Sequence, residues 1–363
     1  MKSIRFAGLY LSVALTPWLV GAAWAATATA QGPGYHLVKK VVVGGDETWD
    51  YLGVDSDTHR IFLPRHSHTM VVDVDGKVVG DIPKLGYAHA IDFAPELKRG
   101  FISDGIAASL TIFDLGTLKV LSTVAIPNRN PDDLIYDPAS KRVFTFNNTP
   151  DTVPAKPGAV AGGNDVTAID AVTGKVVGQL QLDGKLEGGQ TDGAGRIFIE
   201  VESKNEVVVF DAKKLDVLAR WPTAPCEEPG GQEAIDIAHH RLFVGCHNKM
   251  MTVINTDTGK VVATVPIGQG TDATKFDPET GLVFSPSSDG KITVAHEDSP
   301  DKFTVVQTIA TEDGVARMTL DTKNHNVYIL TAKFGPSPKT SDPLDARRHE
   351  ALPGTATLWI FSR

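Results

Sequence analysis

The chain has 363 residues, 42% of them hydrophobic, and carries 44 Asp and Glu against 35 Lys and Arg, for a formal charge of −9 at pH 7. An acidic balance of this kind argues against nucleic acid as the main partner, because that affinity comes largely from neutralising phosphates with Lys and Arg. The length is enough to bury a large core, and by itself would suggest two domains.

The first 25 residues, "MKSIRFAGLYLSVALTPWLVGAAWA", place Lys2 and Arg5 ahead of a short apolar run and then small residues in an A-x-A arrangement. That is the layout of a secretory signal peptide, with cleavage expected after Ala25 or, alternatively, after Ala30. The apolar stretch is short for a membrane anchor and is interrupted by Pro17. Removing Lys2 and Arg5 leaves 33 basic residues against 44 acidic ones, a mature charge of −11. No later segment is apolar enough to span a membrane, so a periplasmic or secreted protein is expected. In an exported chain the two cysteines, Cys226 and Cys246, are expected to pair as a disulfide.

Next comes "YHLVKKVVVG", from Tyr35, which reads as a strand that belongs to no repeat. After it an aromatic anchor recurs: "RIF" at Phe62, "RGF" at Phe101, "RVF" at Phe144, "RIF" at Phe198, "RLF" at Phe243, "LVF" at Phe284 and "NVY" at Tyr328. The gaps are 39, 43, 54, 45, 41 and 44 residues, the length of a four-stranded propeller blade. An apolar stretch and an Asp-rich turn precede each anchor, as in "DLIYDPASKRVF", which predicts a hairpin of two inner strands. A third strand ending in Asp or Asn follows, as in "LTIFD" or "MTVIN", and then a fourth such as "VVATVPI". The last unit stops at "TATLWIFSR" and lacks a fourth strand. The N-terminal strand is therefore predicted to complete it. Residues 35–363 form one all-β, seven-bladed propeller whose ring closes without an exposed edge.

The segments "VDVDGKVVGDIP" from Val72, "IDAVTGKVVGQLQL" from Ile169 and "INTDTGKVVATVPIG" from Ile254 share one grammar, and "VFTFN" from Val143 and "LFVGCHN" from Leu242 add a degenerate V-[FY]-x-x-N strand. On these residues the whole mature chain resembles the YVTN-repeat (YncE-like) β-propellers of bacterial periplasm and cell surface. The resemblance implies the fold. It transfers no catalytic residue, since the motif consists of turn and core positions.

In a propeller, the loops into each inner strand and from the second strand to the third gather at one mouth of the central channel. Aligning the repeats on the anchor brings Asp50, His89, Asp132, Glu187, Glu233, Asp272 and Ala316 to that mouth. A one-residue shift would substitute Tyr51, Asp133 and Arg317. Such a ring of carboxylates suits a divalent cation such as Ca²⁺ or Mg²⁺, or a cationic group on a ligand; the alternative is that the acids cap backbone N–H groups. Arg129 and Arg317 lie close enough to compete as salt-bridge partners. "PRHSHT" sets His66 and His68 two apart, leaning to one side, with His89 entering from the next blade, a set that would suit Zn²⁺ or Cu²⁺. His247 lies across the ring. His239 and His240 fall in a turn at the other end, as do Asp55, Asp137, Asp192, Asp277 and Asp321, which read as structural.

Two long insertions, residues 147–164 and 332–355, interrupt second-to-third strand connections. They are expected to rise from the mouth as a lid or docking rim, with Arg347 and Arg348 on the latter. No G-x-S-x-G elbow or H-E-x-x-H is present, and "GQGTDA" from Gly268 precedes an inner strand rather than a helix. The expected role is a monomeric, exported module that binds a small molecule or a protein through its mouth. A metal-assisted lactonase-like or lyase-like enzyme, built from His89, Glu187, Glu233 and Arg317, is the alternative, and a cell-surface adhesion or structural role a further one.

Overall fold

The computed structural model describes residues 34–45, 47–126, 129–149, 164–335 and 351–363. Seven antiparallel four-stranded sheets follow one another along the chain, each with its strands in sequence order from the inside out, apart from the last. The compact unit runs from Tyr35 to Arg363. All seven anchors, Phe62, Phe101, Phe144, Phe198, Phe243, Phe284 and Tyr328, sit on second strands and are wholly buried. They pack between adjacent blades because alternation along a strand sends every second side chain to the same face.

The basic residue ahead of the anchor proves to be an inter-blade latch. Arg60 donates to the carbonyl of Leu115 at 2.6 Å, Arg99 to Ala171 at 2.6 Å, Arg142 to Ala212 at 2.8 Å, Arg196 to Thr256 at 2.6 Å and Arg241 to Pro300 at 2.7 Å. In each case the acceptor belongs to the following blade, beside its third strand. The Asp-rich turns at the same end are held as expected: a carboxylate oxygen of Asp55, Asp137, Asp192, Asp277 or Asp321 accepts a turn N–H at 3.2, 2.7, 2.8, 3.2 and 3.0 Å respectively.

The N-terminal strand His36–Val42 pairs antiparallel with the C-terminal strand Thr357–Ser362, from His36 opposite Ser362 to Val42 opposite Thr357. The closing sheet therefore takes its outer strand from one end of the chain and its next strand from the other. Tyr35 pins the join: its hydroxyl donates to the His325 carbonyl at 2.8 Å, and its ring meets Phe284 edge-on at 5.0 Å. No helix among the described residues is long and apolar enough to cross a membrane.

Cys226 and Cys246 are bonded, with S–S 2.01 Å and Cα atoms 5.6 Å apart, at the mouth end of blade five. The bond closes a loop of 20 residues, which in the chain-entropy account stabilises by about 3 kcal/mol. A Cys226→Ala, Cys246→Ala double variant is expected to lose about that much in denaturant unfolding, and native protein under reductant should move the same way. Equal midpoints with and without the bond would contradict it.

Most of each long insertion lies outside the described residues, at 150–163 and 336–350. The flanks place both insertions between second and third strands. One joins the strand ending at Asn148 to that starting at Asp165, and the other joins Thr331 to Thr357.

Candidate functional site

Backbone hydrogen bonds between blades fix the mouth. Tyr51 N–H donates to His89 at 3.0 Å, Gly188 to Gly231 at 3.0 Å, Gln232 to Asp272 at 3.2 Å and Asp272 to Ala316 at 3.1 Å. Gly231, with φ +87°, permits this approach, since a Cβ there would stand 2.1 Å from Asp272 backbone atoms. The bonds join the segments that enter the inner strands of neighbouring blades, with offsets of up to three residues between the paired positions. They put Asp50, His89, Asp132, Glu187, Glu233 and Asp272 in one ring, with Tyr51, Asp133 and Arg317 one step further along.

On one side of the ring the acids are paired. Arg317 spans two blades, its Nε 2.8 Å from Asp50 and its Nη2 2.6 Å from Asp272, while the guanidinium lies 5.3 Å above the Tyr51 ring. His89 Nδ1 sits 2.7 Å from the other oxygen of Asp50 and 3.4 Å from Asp132. Burial alone would raise the Asp50 carboxyl, but Arg317 and His89 outweigh it and hold the group below the usual carboxylate range. Burial likewise opposes charge on His89, yet Asp132 and Asp50 keep its imidazole above the ordinary value.

The other side is acid-rich. Burial pushes Asp132 up in spite of His89, and it pushes Glu187 well up, reinforced by Asp132. Lys185 is the neighbouring cation, 2.5 Å from Glu187 and also paired with Glu202. Behind them Glu200 and Glu233 are wholly buried and within hydrogen-bonding reach of each other, and apart from the Gln190 backbone N–H near Glu233 their oxygens meet no protein donor among the described residues. Two carboxylates so placed cannot both be ionised, and burial drives both well above the normal range.

Below the ring the channel opens into a cavity of about 360 Å³, lined among others by Asp92, Asp133, Gln232 and Lys275. Lys275 donates to Gln232 at 2.7 Å, and Gln232 in turn donates to Asp133 at 3.1 Å. Burial lowers the lysine and raises Asp133 to about 7 and Asp92 to about 6.

The remaining candidate residues are placed as follows. Arg129 pairs with Asp165 of its own blade. His66 accepts or donates at 2.7 Å to Thr48 and stacks on Tyr87 at 4.0 Å, with Tyr87 in turn 4.5 Å from His89. His68 pairs with Asp81 at 2.5 Å. Among the described residues, the groups of three or more ligand-type atoms within 4.8 Å of one another are Asp50–His89–Asp132 and Asp236–His239–Glu297, and neither His66 nor His68 belongs to one. The histidine geometry thus joins His89 to two carboxylates rather than to the other two histidines. The Tyr87 ring, inserted between His66 and His89, is the reason.

Glu200, Lys185, Glu202 and Lys275 were not expected at the site. Glu200 occupies a buried second-strand position, and only the bulge that sets Leu186 opposite Val201 and Gly189 opposite Ile199 brings Glu187 over it. "RIFIEV" carried the signal: an acid inside an otherwise apolar strand.

Fold and site together define a seven-bladed β-propeller with a charged channel mouth. No protein-family model and no curated protein matches the chain. Among solved structures, a chain of one titled "Crystal Structure of Mitotic Checkpoint Complex" is similar, with TM-score 0.68 and 13% identity, over 97% of this chain and 99% of that one. At that identity the likeness concerns the fold alone.

Proposed function

We propose that this protein is an exported ligand- or protein-binding module of the YVTN-repeat kind, working in the periplasm or outside the cell, and that its mouth recognises a cationic group. One observation carries the reading. Six carboxyl groups, Asp50, Asp132, Glu187, Glu200, Glu233 and Asp272, converge where Arg317, Lys185 and His89 supply the positive charge. An incoming ammonium group or divalent ion would relieve the excess at Asp132, which is 21% exposed, and at the buried Glu187 near it.

The test is thermal melting at pH 7.5 with millimolar putrescine, choline, Ca²⁺ or Mg²⁺, in native protein and in an Asp132→Asn, Glu187→Gln double variant. At least one cation should raise the native melting temperature, and the variant should lose the shift. Both carboxyls are raised, so protons compete with the cation from a higher pH than at an ordinary carboxylate. The shift should fade as pH falls through that elevated range. No shift with any cation would remove the reading.

A metal-assisted lactonase-like or lyase-like activity is favoured by one observation, the Asp50–His89–Asp132 group at ligand spacing. Arg317 already engages Asp50 there, which weighs against a metal at that point.

A further inference from the structure

Blade six departs from the others at the face opposite the mouth. Its third and fourth strands, Lys291–Ser299 and Lys302–Ala310, are nine residues each, where the third and fourth strands of the other blades have five to seven. The extra length carries the segment "HEDSPD", residues 296–301, beyond its own blade and over the inner hairpin turn of blade five, "DIAHHR", residues 236–241. Contacts across the join are polar: Arg241 donates to the Pro300 carbonyl at 2.7 Å and to Asp301 at 2.6 Å.

Beneath those contacts Asp236, His239 and Glu297 converge. His239 Nδ1 is 2.5 Å from Asp236 Oδ2 and 3.1 Å from Glu297 Oε1, and the three ligand atoms lie within 4.8 Å of one another. The hydrogen bond of His239 Nδ1 is with Asp236. Glu297, whose side chain is only 3% exposed, therefore receives no hydrogen bond on either oxygen from any described residue. Its carboxyl instead faces that of Asp236, itself 3% exposed. Burial and this neighbour push Glu297 up to about 7.

The same turn elsewhere shows what is unusual. His59 Nδ1 lies 2.5 Å from Asp321 and His325 Nδ1 lies 2.8 Å from Asp277, so a histidine bridging to a buried turn aspartate is a recurring device of this face. Neither pair gains a second buried carboxyl among the described residues. In blade five Glu297 adds one, and nothing in the fold's pattern of latches and turns uses it.

We propose that Asp236, His239 and Glu297 form a site for a divalent transition-metal ion that staples blades five and six on the face opposite the mouth. One imidazole nitrogen and two carboxylate oxygens are the donor set of Zn²⁺, Mn²⁺ or Co²⁺ rather than of Ca²⁺. Bonds of about 2.0–2.2 Å hold ligand atoms roughly 3 Å apart, which needs only a small opening of the present group. Asp236 is already oriented, because its Oδ1 accepts the N–H of Ala238 at 2.9 Å and leaves Oδ2 toward the cluster. His239 is 54% exposed, so solvent can reach the site and complete the coordination. On binding, the Nδ1 proton moves to Nε2 of a neutral imidazole or leaves to water from an imidazolium, any proton shared by the two carboxyls leaves to water, and no other bond changes. The site is independent of the mouth and of the function proposed for it.

The experiment is titration of metal-free protein with Zn²⁺ by calorimetry at pH 7.5, together with Co²⁺ binding followed by its visible ligand-field bands. Native protein is compared with Glu297→Gln, His239→Ala and, as a control at the mouth, Asp132→Asn. One equivalent of Zn²⁺ per chain is expected, weakened by about 100-fold or more in Glu297→Gln and His239→Ala and unchanged in Asp132→Asn. His239 is exposed, so its variant remains folded even if Glu297→Gln shifts the melting temperature. Absence of stoichiometric Zn²⁺ binding in native protein would overturn the proposal, as would binding that survives both opposite-face variants or is lost only in Asp132→Asn.

Discussion

Deletion of residues 35–44 is expected to remove most of the protein's stability, far more than excising a surface loop of equal length. The strand supplies the whole outer edge of the closing sheet, with six paired positions against Thr357–Ser362. Without it, the N–H and C=O groups of that strand face water along an open edge, a surface prone to pairing with other chains. Tyr35 goes too, at 3% exposure, and with it the edge contact to Phe284 and the hydrogen bond to His325. Loss of one buried aromatic costs roughly 3–5 kcal/mol. Added to the lost ladder, that approaches the 5–15 kcal/mol typical of a folded domain. The measurement is chemical unfolding of the truncated and full chains with light scattering alongside. A truncated protein that unfolds at the same midpoint and stays monodisperse would show that the ring does not depend on this closure.

Arg317→Met should be the most damaging single substitution at the mouth. It leaves Asp50, 7% exposed, with His89 as its remaining partner and takes the cation from Asp272, and removing one member of a buried ion pair costs about 3 kcal/mol. The sign with pH follows from Asp50. Its carboxyl is held below the ordinary value in the folded protein, so its contribution is complete above the unfolded value, near 4, and is lost as pH falls through the lower folded one. The deficit of the variant should therefore be full at pH 7.5 and shrink in acid, where Asp50 is protonated. Arg317→Lys restores the charge but cannot span both carboxylates, so an intermediate value is expected. Equal stability of native and Met variant at pH 7.5 would mean that Arg317 is not what balances these acids.

Much of the mouth could be read directly from the chain because the repeat counts residues. Aligning the anchors places Asp50, His89, Asp132, Glu187, Glu233 and Asp272 at the entrances to the inner strands, and inter-blade bonds from Tyr51, Gly188, Gln232 and Asp272 link four pairs of those entrances. The disulfide followed from there being two cysteines in a chain read as exported, and the closing strand from a blade one strand short. What alignment could not supply is where a side chain reaches within its level. His66 and His89 share a face but are parted by the Tyr87 ring, and Arg129 turns to Asp165 rather than to the ring.

The sequence by itself determined the blade count, the order of strands and the cysteine pair. All of these depend on spacing and alternation, which are properties of a single chain read in order. Only the tertiary structure decided which acids are balanced. Neutralisation depends on distances of a few ångströms between residues hundreds of positions apart, as with Arg317 and Asp50, while the bulge that lays Glu187 over Glu200 and the overhang that brings Glu297 to Asp236 shift side chains by a residue or two. Coulomb interactions in a buried site change steeply over such displacements, and the period of the repeat carries no record of them.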